Sequence, residues 1–269
     1  MQNSHWPCVK WIASVFAMVA HRHGGQRRHL NSMIRLTNIS ARFVDPMGGE
    51  IQALQSVSLQ FEPGNFYTII GPSGSGKTTL LHIIAAILKP SSGDIHVGDV
   101  ELGKLNEGRR DAWRRQNCGL IFQDFRLIEE LGPLANVLVP SWFTSMVTKP
   151  AMRSRAEALL SHFKVPSRSG PVAALSRGQQ QRIAMARALL LEPEIILADE
   201  PTASVDKANA ELIIEEMHNL ARQRKTVICV SHDERVARRA DHVFEIEDGR
   251  LVRDRDEAAP RVATEGVSS

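Results

Sequence analysis

Gly71-Pro72-Ser73-Gly74-Ser75-Gly76-Lys77-Thr78 is the stretch on which the reading of this chain turns. It fits the pattern G-x4-G-K-[ST]. It also lies between a short apolar run, Phe66-Tyr67-Thr68-Ile69-Ile70, and a segment with Leu80, Leu81, Ile83, Ile84, Ile87 and Leu88 at helical spacing up to Pro90. An apolar run bounded by Gly64 and Gly71 is the pattern of a strand buried on both faces. Strand, glycine loop and helix then form one βα unit. In such a unit the glycines let backbone N–H groups close on phosphate oxygens, and the helix N-terminus adds partial positive charge. Lys77 supplies a point charge and the Thr78 hydroxyl a ligand for Mg²⁺. A flexible Gly/Ser linker would carry the same letters without the flanking strand and helix, so the flanks favour a phosphate site.

Farther along, Ile195-Ile196-Leu197-Ala198-Asp199-Glu200 is a strand too apolar to be half exposed, ending in two adjacent carboxylates. In an open parallel sheet, ligands bind off the carboxyl ends of strands, which places these acids opposite the phosphate loop. Asp199 suits Mg²⁺ coordination, directly or through water, and Glu200 suits a general base that orients an attacking water. Read alone, the pair is equally a solvated strand end or a helix cap. Leu175-Ser176-Arg177-Gly178-Gln179 runs into a helix carrying Ile183, Ala186 and Leu190, and read alone it is an N-cap.

Together these residues resemble the ATP-binding cassette (ABC) family. Leu175–Gln179 is similar to that family's Leu-Ser-Gly-Gly-Gln signature, and Gln180-Gln181-Arg182-Ile183-Ala184-Met185-Ala186-Arg187-Ala188-Leu189 to the family's continuation of that signature. The resemblance spans Met33 to Arg253 and implies ATP and Mg²⁺ as cofactors. Gln123, after Gly119-Leu120-Ile121-Phe122, resembles the glutamine that contacts the metal and the hydrolytic water. Ser204-Val205-Asp206 resembles the D-loop, His232 the switch histidine at the γ-phosphate, and Phe43 the aromatic that stacks on adenine. Gly71 to Thr78, together with Thr79, would bind nucleotide. Gln179 and Asp206 would also bind nucleotide, and the signature with Ser176 and Gly178 would complete the site of a second copy, since two cassettes of this family face head to tail. Arg177 departs from the pattern by replacing the first glycine of the signature pair; it either crowds the site or adds favourable charge.

The implied fold is α/β: a P-loop NTPase core with a mixed sheet, an N-terminal antiparallel β subdomain and an inserted α-helical subdomain. The antiparallel pair is expected at Ile34–Phe43 and Gln52–Phe61, around the turn Asp45-Pro46-Met47-Gly48-Gly49. The helical insertion is expected over about 105–175, with helices at Asn106–Gln116, Pro133–Ser145 and Ala151–Val165. Alternation then resumes with helices Gln179–Leu191 and Lys207–Arg224, strand Thr226–Val230 and a hairpin about Asp248-Gly249. Residues 1–32 read as a tail or an over-long start, 33–253 as the cassette domain, and 254–269 as a disordered tail.

Composition narrows the classes. The 269 residues are 43% hydrophobic and 23% charged, as in an ordinary globular domain. A net charge of +3, with 4 Trp, 1 Tyr and 9 Phe, does not describe a base-stacking polyanion groove, so no nucleic-acid partner is expected. Three cysteines, Cys8, Cys118 and Cys229, are odd in number and unpatterned and indicate neither a disulfide framework nor a zinc site. The apolar stretch Trp11–Ala20 has ten residues, short of the roughly 18 to 20 that cross a bilayer, and its end makes a poor signal-peptide cleavage site.

The segment Gly119 to Ile128, with Leu134-Ala135-Asn136-Val137 and Pro140, resembles the lipoprotein-release, macrolide-exporter and cell-division group of cassettes. It implies a homodimeric ATPase at the cytoplasmic face of the inner membrane, peripheral, powering a separate integral-membrane permease subunit. Phe125, Leu127 and Ile128 would meet that subunit or pack within the helical subdomain. A cell-division-type signalling cassette that moves no substrate is the alternative. A soluble repair or translation cassette fits less well, because the stretch between Lys77 and Ser176 leaves no room for a long coiled coil.

Overall fold

The computed structural model describes residues 33–44, 48–143, 150–166 and 170–256. The tail expected over 1–32, the residues past 256 and the expected helix end at Ser145 lie outside the described residues.

Strands β1 (Ile34–Val44) and β2 (Glu50–Phe61) pair antiparallel, as their alternation requires. Ile34, Leu36, Ile39 and Ala41 point inward beside Leu54, Val57, Leu59 and Phe61, all buried. Strand β4 (Ser92–Val97) joins the other edge of β1, and β5 (Val100–Glu101) follows it, so the expected pair is a four-stranded sheet. Only Ile95 and Val97 of β4 face the core, too weak a pattern to announce a strand.

The second sheet contains β3 (Phe66–Ile70), β6 (Cys118–Ile121), β7 (Ile195–Asp199), β8 (Thr226–Val230), β9 (His242–Glu247) and β10 (Arg250–Asp256), in the order β10-β9-β3-β8-β7-β6. Strands β6, β7, β8, β3 and β9 run parallel, and β10 turns back through Asp248-Gly249. Both turn residues have positive φ, 47° and 75°, the backbone twist of a two-residue hairpin. This strand corrects the expected boundary at Arg253: Asp254 to Asp256 pair with Phe244 to His242 rather than forming a tail.

Seven helices are described: α1 (Lys77–Ile84), α2 (Glu107–Asn117), α3 (Pro133–Trp142), α4 (Pro150–His162), α5 (Arg177–Leu189), α6 (Lys207–Arg222) and the short α7 (Glu234–Ala237). Helix α1 stops at Ile84, short of Pro90. Ala86 turns to φ 54° and the Ile87 amide donates to the His82 carbonyl (2.9 Å), which winds the chain out of the helix while Leu88 still packs on the core. The stretch 105–175 is not purely helical either, because β6 lies within it as the edge strand of the parallel sheet. Its sequence, Cys-Gly-Leu-Ile, is too short to show a period. Gly119 is required there by close approach: a Cβ would lie 2.6 Å from the Ala188 carbonyl oxygen.

Successive residues of the central strands feed two apolar cores. Tyr67, Ile69, Ile195, Leu197, Ile228 and Val230 pack with α1 and the antiparallel sheet; Phe66, Ile196, Ala198, Val227 and Cys229 pack with α3, α4, α5 and α6. With both faces covered, the sheet leaves only its strand ends open. The carboxyl ends of β3, β7 and β8 open together, and the site lies there.

Candidate functional site

The loop from Gly71 to Gly76 leaves β3 and enters α1 with Gly71, Gly74 and Gly76 at φ 146°, 80° and 99°. Gly71 and Gly76 have no room for a side chain: a Cβ would run into the Ile246 and Ala53 carbonyls respectively. The Gly249 amide donates to the Ser75 carbonyl (3.1 Å), and the Gln55 amide to the Gly249 carbonyl (2.7 Å). The β9–β10 turn thus clamps the loop against β2. Lys77, 8% exposed, reaches back across the loop and donates to the carbonyls of Gly71 (2.8 Å) and Pro72 (2.6 Å). Burial lowers its pKa, and the Glu200 and Asp199 carboxylates oppose that shift.

Thr78, one residue into α1, donates its hydroxyl to Asp199 Oδ1 at 3.2 Å. This bond joins the loop to the end of β7, although the two residues are far apart in sequence. Burial raises the Asp199 pKa, and the Thr78 hydroxyl and the nearby His82 pull it back. Glu200 turns sharply at φ 46°, a conformation that costs a non-glycine residue about 1–3 kcal/mol. The surroundings hold it there: its amide donates to the Val230 carbonyl (2.9 Å), and its carboxylate lies 2.8 Å from His232 Nδ1 and 3.4 Å from the Ser231 hydroxyl. His232 itself is largely exposed. A strained acid pinned beside an exposed imidazole at a cavity wall is an arrangement typical of functional sites.

These groups converge on one cavity of about 530 Å³, a volume within the usual range for small-molecule sites. Gly71, Ser73, Gly74, Gly76, Lys77, Thr78, Thr79, Gln123, Asp199, Glu200 and His232 line it. Pro72 and Ser75 belong to the same loop through the Pro72 carbonyl and the Ser75 backbone. A larger cleft of about 620 Å³ beside β1, β2 and β10 has Arg250 as its cation, and that guanidinium already donates to Gln55 Oε1. The smaller cavity is the one lined by Lys77, Asp199, Glu200 and His232 together.

Other residues singled out in the sequence do not line this cavity. Ser176 and Gln179 are turned on each other at the start of α5. The Gln179 amide donates to Ser176 Oγ (3.3 Å) and the Ser176 amide to Gln179 Oε1 (2.9 Å), a complete capping box. Gly178 packs against Asn209, where a Cβ would lie 2.6 Å from the amide nitrogen. Asp206 caps α6 and accepts from the Asn209 amide (3.0 Å) and side chain (2.6 Å), which hold its carboxyl below the usual range. Asn209 thus links Gly178 to Asp206, and with Ser176 at the start of the same helix they form one strip that does not line the chain's own cavity. Phe43, 39% exposed, pairs with Ile51 in the strand ladder and is not part of the cavity wall, although Ala53 two residues farther along β2 is.

Sequence reasoning misses Ala53 and Val230, which line the wall, and Ser231, whose hydroxyl faces Glu200. The position of Ser231 immediately before His232 is the one available signal. A magnesium ion fits the donors present. Thr78 and Asp199 supply hard oxygens within hydrogen-bond distance of one another, and Mg²⁺ needs few protein ligands when phosphates and waters supply the rest.

The profile of the ABC transporter family matches residues 54–203. The chain is 39% identical over 230 residues to the macrolide export ATP-binding/permease protein MacB 1/2 of Paracoccus denitrificans, covering 85% of this chain and 34% of that protein. It is 38% identical over 236 residues to MacB of Pectobacterium atrosepticum, covering 87% and 36%. The chain therefore spans about a third of the length of the curated relatives it matches. Two solved dimeric ATP-binding cassette structures, one in a post-hydrolysis state with ADP and Pi, superimpose with a TM-score of 0.77 at 35% identity, covering 83% of this chain and 98% of each.

Proposed function

The chain belongs to the ABC transporter family as one of its ATPase cassettes, and on that premise we propose that it hydrolyses ATP between two copies of itself to drive a separate membrane subunit. The observation that carries this reading is the Thr78–Asp199 hydrogen bond, which brings a phosphate loop and a carboxylate-tipped strand onto one cavity. In this reading the loop amides and the α1 N-terminus receive the phosphates, and Lys77 leaves the Gly71 and Pro72 carbonyls to meet the β- and γ-phosphate charge. Thr78, Asp199 and Gln123 would hold magnesium, which neutralises developing phosphate charge when bound. Glu200 would take a proton from the attacking water, with His232, 2.8 Å away, fixing its carboxylate and reaching the γ-phosphate. Phe43 would meet adenine.

The strip of Ser176, Gly178, Gln179 and Asp206 supports a head-to-tail homodimer. It carries a helix N-terminus suited to a γ-phosphate, and it lies outside the chain's own cavity. In the two superimposed structures the cassette is dimeric. Among the described residues no helix is long and apolar enough to cross a membrane. The relatives are export ATP-binding/permease proteins, and transport by this chain would engage such a permease as a partner, with the cassette peripheral at the cytoplasmic face of the inner membrane. Phosphate release by the purified chain, with and without Mg²⁺, tests the reading. Metal-dependent hydrolysis is expected, and ATP turnover that ignores the metal or the Asp199→Asn change would overturn it.

A further inference from the structure

Arg177, where the family signature has glycine, occupies the first position of α5. A cation in the first turn opposes the helix dipole, so helix formation alone does not explain it. Its guanidinium does not lie at the cavity wall. It lies over the ring of Phe125, 5.5 Å from the centroid, and that ring is only 3% exposed. Phe125 and Arg126 come shortly after Gln123 and both adopt left-handed backbone, φ 58° and 46°. Arg187, farther along the same helix, donates to the carbonyls of both (2.5 Å each). Arg126 in turn stacks over Phe122 (4.6 Å), on the other side of Gln123. Helix α5 thus grips the loop after Gln123 at two points. Arg187 holds the strained backbone, and Arg177 covers the aromatic face.

Resting on the ATPase reading above, we infer that Arg177 is a positioning residue that ties the signature strip to the Gln123 loop of the same chain through Phe125. The substitution leaves the α5 N-terminus free for a phosphate, because the arginine turns away from it. It also makes the two halves of the nucleotide machinery move as one piece: a shift of Gln123 toward its ligands carries Ser176 and Gly178 with it. Glycine at this position could make no such contact, and methionine would keep the apolar stem but not the charge.

Arg177→Met, Arg177→Lys and Arg177→Gly in the full chain test this, read by ATPase turnover, ADP affinity and amide exchange of residues 122–128. Methionine and glycine should lower turnover about two- to fivefold at saturating ATP, the range of a cation–π contact made by an exposed cation, while lysine retains most of it. ADP affinity should stay unchanged, and the Phe125 and Ile128 amides should exchange faster in the methionine and glycine proteins. Wild-type turnover in Arg177→Met, or a gain in Arg177→Gly, would overturn the inference. Unaltered exchange would overturn it whatever the turnover. If the unmodified chain hydrolyses no ATP but exchange still rises, the ATPase reading fails and the clamp stands.

Discussion

The cavity and the signature strip are built in opposite ways. Around the cavity, groups from β3, α1, β7 and β8 reach toward one space: Thr78 touches Asp199, and Glu200 sits against His232. In the strip, each polar group is turned onto its own neighbours. Ser176 and Gln179 close a capping box, and Asp206 holds Asn209. The first region's bonds join elements far apart in sequence around an open cavity; those of the second close within a helix start and its neighbour. The proposed division of labour follows from this difference: the cavity would receive nucleotide within one chain, and the strip would meet the nucleotide of another copy.

The largest break in this contrast comes from the cavity side. Lys77→Ala and Asp199→Asn each remove a charge that the proposed mechanism uses in phosphoryl transfer and should cut hydrolysis at least about 100-fold in a phosphate-release assay. Next, Gly76→Ala should displace the loop, because its Cβ meets the Ala53 carbonyl at a φ of 99°. A strained site of this kind costs about 1–3 kcal/mol, so nucleotide affinity by calorimetry should fall at least about fivefold. Ser176→Ala sharpens the contrast from the other side. Losing the cap should destabilise α5 by about 1 kcal/mol in thermal melts and lower hydrolysis, yet leave ADP affinity intact, since Ser176 is not in the cavity wall.

The smallest effect concerns the joint between α4 and α6. His162 Nε2 lies 3.1 Å from Glu216 Oε2, and this bond raises the His162 pKa. A raised folded-state pKa means the contribution is full below about pH 6.5, the value in the unfolded chain, and is lost as pH rises through the folded value. Melting temperature should therefore drop slightly between pH 6 and 8, by the equivalent of about 1 kcal/mol or less, and His162→Gln should flatten that slope.

The contrast also explains which parts of the molecule are legible in its sequence. The glycine loop and the Asp199-Glu200 strand end are readable because each couples a chemical residue to a buried apolar run, and burial on both faces leaves a continuous signature; His232 is singled out only by the family resemblance. Strands β6 and β4 are not, since four residues ending a polar helix and two apolar letters in six carry no period. The end of α1 is hidden because Ile87 and Leu88 keep helical spacing while the backbone at Ala86 has already left the helix. Side-chain pairings across the fold, Arg177 on Phe125 and Glu200 on His232, depend on topology that no local pattern contains.

The central claim, that the cavity of one copy and the strip of another share one ATP, is tested most directly by Glu200→Gln. The change removes the proposed base while leaving Lys77, Thr78 and Asp199 to hold nucleotide, so bound ATP should persist. Light scattering during size-exclusion chromatography should then show a monomer in Mg-ADP and a dimer in Mg-ATP. A protein that binds Mg-ATP at saturation and still elutes as a monomer would contradict the shared site.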